Sequence, residues 1–196
     1  TGPVDDFTVE VPCVTPAELE TELTAEGGGG LHVVLLAVKA HHTEAAIGEI
    51  EPLLSETGFV VSVQNGLNEE VIARTVGHER TVGCFVNYGA DVLEPGVIVR
   101  GNRGAVVVGE VDGSRTPRIE WLHRAFTDFE PDAVLTENIM GFLWGKLAYG
   151  AILFATALEE RSIADVLDTA AYRPALVAVA REAMLVADAL GVQPEP

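Results

Sequence analysis

Two apolar runs constrain this chain more than any other feature. LHVVLLAVK (31–39) and GFVVSVQ (58–64) are each of strand length and carry few polar side chains. Continuous apolar runs without alternation suit strands buried on both faces, and such strands occur in parallel sheets covered by helices. Between the runs, Thr43 is placed to cap a helix reaching about Leu54, with Glu44 in its first turn. After the second run, NGL reads as a tight turn and 67–76 as another helix. Strand–helix–strand–helix is the doubly wound α/β pattern.

The rest of the chain frames this unit. FTVEVPCV (7–14) alternates and reads as a short strand, and Thr15-Pro16 opens a helix over 16–25. The glycines at 27–30 form a loop. Between 81 and 110, TVGCFVNYGA, GVIVRG and GAVVVGE are short strands punctuated by glycine and Pro95, expected as antiparallel additions to the sheet. A helix over 117–128 and a short strand over 132–136 follow. From Asn138 onward the pattern is helical, over 138–159, 162–170 and 173–190. The expected architecture is therefore α/β: a partial doubly wound Rossmann-like domain over 1–137, then an all-α domain over 138–196 that is also expected to be incomplete.

Charge narrows the partners. Thirty acidic residues face twelve basic ones, for a net charge of −18. Such a surface repels nucleic acid and anionic membranes, so neither is an expected partner. No apolar run reaches the roughly 20 residues of a membrane span, because Lys146 and Gly150 interrupt the best candidate. The opening TGPVDDFTVEV is acidic where a secretion signal is basic, and Cys13 and Cys84 form no close pair. A cytoplasmic protein with reduced thiols is the expectation.

Only two of the cations are lysines, and each lies beside an apolar run. Lys146 falls within MGFLWGKLAYGAILFATALEE on the same helical side as Ile139, Phe142, Leu143, Gly150 and Leu153. It is centred on the apolar stripe, where it either snorkels to water or does chemistry. Lys39 ends the first apolar strand, and ligands of open α/β sheets bind beyond the carboxyl ends of the strands. Asn65 ends the next strand at that same edge, with an amide that both donates and accepts.

Together LLAVKAHHTEAA, VQNGLNEEVIARTVG and LWGKLA, in that order and spacing, resemble the ketopantoate reductase family. The resemblance runs from about Asp5 to Gly191, and the glycine-punctuated stretch 83–110 shares the family's Gly-Ala step at Gly89-Ala90. It implies NADPH-dependent reduction of a 2-oxo acid, most simply 2-dehydropantoate to pantoate. It assigns Lys146 as proton donor to the nascent alkoxide and places Lys39 and Asn65 by nicotinamide and substrate, with Ala90 touching cofactor through its backbone. It also leaves room for a homodimer. An ammonium beside a ketone oxygen stabilises the charge that hydride delivery creates there, and burial lowers its pKa toward the working range.

Two departures refine that picture. The family's opening strand–GxGxxG–helix unit has no counterpart: the GGGG run precedes a strand, and His32 occupies the third glycine's place. The chain is therefore expected to begin inside the Rossmann unit and to stop before the family's later helices. The family also follows its lysine with asparagines facing the substrate, where this chain has Gly150 and Phe154. That pocket would be less polar, suiting a less hydroxylated 2-oxo acid. A non-catalytic binding or dimerisation module on the same scaffold is the reading from a different class. His41-His42, with His32 and His78, do not suggest a metal site, since adjacent histidines point apart. Glu49-Glu51 and Glu159-Glu160 read as solvated faces, and Trp121 and Trp144 as core.

Overall fold

The computed structural model describes residues 7–25, 28–101 and 104–195. Helix α1 (Pro16–Ala25) opens with reciprocal capping: the Thr15 backbone N–H donates to Glu18 at 2.7 Å and the Glu18 N–H donates to the Thr15 hydroxyl at 3.3 Å. Strand β1 (Leu31–Leu36) leads through α2 (Thr43–Ile50) to β2 (Leu54–Ser62), and α3 (Glu69–Val76) leads on to β3 (Thr81–Asn87). These three strands are parallel and adjacent in that order. A hairpin of β4 (Ala90–Glu94) and β5 (Val97–Arg100) stands apart as its own two-stranded sheet. Strand β6 (Ala105–Glu110) returns antiparallel to β3, and after α4 (Pro117–Phe129) the short β7 (Val134–Leu135) lies parallel to β6.

Side-chain alternation sorts the core onto the two faces of this sheet. Val61, Val82, Cys84, Val106 and Val108 pack under Ile119 and Leu122 of α4. Leu36 and Val60 face the other way, under Ile47 of α2 and Ile72 and Val76 of α3. Helix α5 (Ile139–Thr156) extends that second layer over β3 and β6, with Ile139 and Leu143 buried on Val107. Each such aliphatic side chain contributes roughly 1.5–3 kcal/mol by leaving water. Gly83 permits the close seat of α5, because a Cβ there would stand 2.8 Å from Ile139 Cγ1. Asn138 caps α5 by accepting from the Gly141 N–H at 3.2 Å. Two further helices, α6 (Ile163–Asp168) and α7 (Arg173–Ala189), follow, and α7 packs along α5.

The structure revises several expectations. Residues 7–14 are exposed and form no strand, since among the described residues nothing pairs with them. The first apolar run stops being strand at Leu36, so Lys39 lies in the following turn, and β1 is an edge strand with Leu35 54% exposed. The helix expected from Thr43 to Leu54 ends at Ile50, and a 3₁₀ turn over Glu51–Leu53 delivers the chain into β2 because Pro52 denies the ladder a donor. His42, not Thr43, is the N-cap residue of α2, and the buried Thr43 hydroxyl bonds elsewhere. Of the strands over 81–110, only β6 adds to the main sheet antiparallel. Trp121 is 49% exposed, because the inner stripe of α4 is set by Ile119, Leu122 and Phe126 and residue 121 turns away from it.

Helix α5, at 18 residues and mean hydropathy 1.4, is long and apolar enough by length and composition to cross a membrane, contrary to the expectation above. Here part of that apolarity covers β3 and β6, a role that buried helices of folded domains share.

Candidate active site

Two parallel strands end side by side, and the connections after them build one edge of the site. After β1 the chain turns at Ala37–Lys39 into a 3₁₀ turn over Ala40–His42, stapled by the His42 N–H donating to the Lys39 carbonyl at 2.8 Å. After β2 it turns through Asn65-Gly66, where Gly66 has φ +101°, a value side chains other than glycine rarely adopt. Asn65 is thereby held exposed at the carboxyl edge. The third contributor is α5, which crosses this edge on the far side of β3.

Lys146 meets Asn65 there. Its Nζ donates to Asn65 Oδ1 at 2.6 Å and to the carbonyl of Val86 in β3, and it lies 5.3 Å from the centroid of the Phe85 ring. The lysine is half-buried, so the question its sequence position raised has a structural answer: the stem packs in the layer and the ammonium is bonded at the sheet edge. Burial lowers its pKa below that of an ordinary lysine, with neighbouring Cys84 acting the other way. The Cys84 thiol is itself pushed up to about 12, chiefly by burial and further by Glu69, and so stays neutral.

The remaining expected residues are distributed around this pair. Lys39 is exposed at the same edge, on the turn after the neighbouring strand, and no hydrogen bond joins it to Lys146 or Asn65. Ala90 begins β4, exposed and opposite Arg100 in the hairpin register. That hairpin is tied down by Arg100, which pairs with the buried Glu130 and lies 5.2 Å from the Tyr88 ring centroid and 5.4 Å from that of Phe129. Gly150, one turn beyond Lys146, has open space where a side chain would stand. Phe154, one turn further, is 83% exposed. Among the described residues no group of three His, Cys, Asp or Glu side chains is arranged to hold a metal ion.

Sequence reasoning missed the partners of Lys146 on β3, one a backbone carbonyl that no residue type announces. It also missed a buried polar chain behind Asn65. Gln64 Nε2 donates to the Thr43 hydroxyl at 2.9 Å and to the Val38 carbonyl at 2.5 Å. The Thr43 hydroxyl donates to Asn68 Oδ1 at 3.4 Å, and Asn68 Nδ2 donates to the Asn65 carbonyl at 3.0 Å. Gln64, Thr43 and Asn68 are all at most 5% exposed. The available signal was the pair of amides flanking Asn65 in QNGLN. Beside them Glu69, 2% exposed at the start of α3, has carboxyl oxygens without a hydrogen-bond partner. Burial raises its pKa, although the nearby N–H groups of residues 68 and 69 and the Ser62 hydroxyl oppose the shift.

Comparison with known proteins shows which family this chain is similar to. The family model described as ketopantoate reductase PanE/ApbA matches residues 1–113. A 2-dehydropantoate 2-reductase of Pyrococcus horikoshii is 30% identical, the match covering 68% of this chain and 44% of that protein. Another from Mesorhizobium japonicum is 30% identical, covering 89% and 59% respectively. The chain thus spans about half the length of the curated relatives it matches. The crystal structure of a Geobacter metallireducens 2-dehydropantoate 2-reductase superposes with a TM-score of 0.68 at 25% identity, over 80% of this chain and 53% of that one.

Proposed function

The chain belongs to the ketopantoate reductase family, and from that premise we propose that it supplies the acid side of a nicotinamide-dependent 2-oxo acid reductase, with 2-dehydropantoate as substrate and NADPH as reductant. The bond between Lys146 Nζ and Asn65 Oδ1 carries the reading, because it sets an ammonium of lowered pKa at the carboxyl edge of a doubly wound sheet. The donors at that edge suit such a nucleotide. Lys39 is an exposed cation for an anionic group, and the Asn65 amide, its oxygen engaged by Lys146, has N–H donors to offer.

When bound, the nicotinamide supplies a hydride to the ketone carbon. This chain's part is to manage the oxygen. Lys146 meets the carbonyl oxygen with an N–H donor, stabilises the negative charge that develops, and passes its proton to form the alcohol. Its amine then regains a proton from water, to which the half-buried side chain has access. Asn65 and the Val86 carbonyl fix the ammonium's direction, which limits the reorganisation the step requires.

Gly150 favours a second substrate within the same reaction class. The open space beside it supplies no polar partner for a substrate hydroxyl, so a 2-oxo acid with an apolar side chain fits at least as well. The decisive test uses the full-length protein with NADPH, 2-dehydropantoate and an apolar 2-oxo acid, comparing wild type with Lys146→Ala. Turnover on either substrate is expected, reduced roughly 100- to 10,000-fold in the variant. Undiminished turnover in Lys146→Ala removes the mechanism.

A further inference from the structure

The Asn65 amide that holds Lys146 is on an exposed turn, and an exposed asparagine is a poor anchor unless something fixes it. The buried chain behind it does so. Gln64 spends both N–H donors, one on the Val38 carbonyl and one on the Thr43 hydroxyl. The Thr43 hydroxyl, its lone pair taken by Gln64, turns its proton to Asn68 Oδ1. That acceptance leaves the Asn68 Nδ2 donor for the Asn65 carbonyl and so determines which way the Asn68 amide points. The donor sense runs outward from Gln64: one N–H anchors it to the turn after β1, at Val38 one residue before Lys39, and the other starts the relay through Thr43 and Asn68 to the turn after β2. We propose that Gln64, Thr43 and Asn68 are positioning residues that hold the Asn65 turn, and through it the Lys146 ammonium, in a single orientation.

Burial separates this from ordinary turn geometry. A turn of the Asn-Gly kind forms on its own and requires no buried support. Thr43, Gln64 and Asn68 are each at most 5% exposed, and three such buried polar side chains would be costly unless mutually bonded, whereas buried apolar residues of similar size carry no such cost. Among the described residues the ionisable group acting on Lys146 is Cys84 of β3, a neutral thiol, which in turn feels Glu69 of α3, held toward its neutral form by burial. The chief adjustable support for the ammonium is therefore the Asn65 acceptor, whose place the buried chain sets.

The catalytic consequence rests on the function proposed above, but the positioning does not, and the test separates them. The full-length protein is labelled with ¹³C-lysine and the Lys146 side-chain resonance, identified by its disappearance in Lys146→Arg, is titrated. Thr43→Val keeps the volume and breaks the relay; Asn68→Ala frees the Asn65 carbonyl; Thr43→Ser restores the hydroxyl. Losing a fixed acceptor destabilises the ammonium, so the Lys146 pKa is expected to fall by about one unit in the first two variants and to return in Thr43→Ser. With substrate, kcat should drop roughly tenfold while KM stays within about twofold, and the basic limb of the kcat profile should move with the resonance. Thermal melts of all variants report whether the fold persists, and Asn68→Ala with Thr43→Ser keeps the question open to an answer if Thr43→Val does not fold. A Lys146 titration unchanged in the folded variants overturns the proposal. A shifted titration in a protein that reduces no 2-oxo acid supports the positioning and overturns the function instead.

Discussion

The seat of α5 on the sheet should be sensitive to a single methyl group. In Gly83→Ala the added Cβ would stand 2.8 Å from Ile139 Cγ1 and 3.1 Å from Cγ2. Ordinary carbon contacts lie near 3.5–4.0 Å, so helix and strand must separate by roughly 0.7–1 Å, or Ile139 must leave its rotamer. Overpacking of this kind costs roughly 1–3 kcal/mol, offset in part by the 0.5–1 kcal/mol or so that alanine gains over glycine in a strand. The net expectation is about 1–2 kcal/mol of destabilisation, which for a chain of this size lowers the melting temperature by roughly 2–8 °C. Because Ile139 and Lys146 ride on the same helix, the displacement should also loosen the Lys146–Asn65 bond. Ile139→Ala alone should cost roughly 2–5 kcal/mol by leaving a cavity, yet the double variant should cost about 1–2 kcal/mol less than the sum, since each change accommodates the other. Chemical denaturation of the four proteins measures the coupling. Additivity within about 0.5 kcal/mol would refute the argument that this contact sets the helix position.

Glu69→Gln should raise the melting temperature at neutral pH. Burial raises the Glu69 pKa in the fold, so the folded state binds its proton more tightly, and stability declines as pH rises from the unfolded carboxyl value through the folded one. Melts across acid to neutral pH should show that decline in wild type and lose it in the variant. Under the proposed function, kcat should fall with rising pH through the Lys146 pKa, at lower pH than an unperturbed lysine would require, because the ammonium is the working form. Gly150→Asn should move preference toward the hydroxylated substrate by about 0.5–1.5 kcal/mol, read as the change in the ratio of kcat/KM for 2-dehydropantoate and an apolar 2-oxo acid. With a net charge of −18, the fold should melt higher in molar potassium chloride than at low salt, as screening weakens carboxylate repulsion.

Much of this protein is determined one residue at a time. The apolar runs at 31–39 and 58–64 select parallel strands, and glycine and proline mark where the chain turns, because hydrophobic period and backbone freedom are local properties. The doubly wound order and the helices at 16–25, 117–128 and 173–190 were legible on that basis, and Lys146 and Asn65 stood out in the sequence before the fold joined them. Tertiary structure decided what pairing and contact decide. Residues 7–14 alternate like a strand but lack a partner among the described residues, and alternation cannot supply one. Trp121 is apolar enough for the core, yet the phase of α4 turns it outward. Thr43 has the chemistry of a helix cap, but it is buried and its hydroxyl bonds instead to Gln64 and Asn68 on the segment joining β2 and α3. Lys146 was visible as an anomaly on an apolar stripe, whereas its partners, an amide 81 positions away and a backbone carbonyl 60 positions away, come within bonding distance only once α5 lies across β3. Residue type states which bonds a side chain is able to make; the folded packing, through burial and orientation, selects which of them it does make.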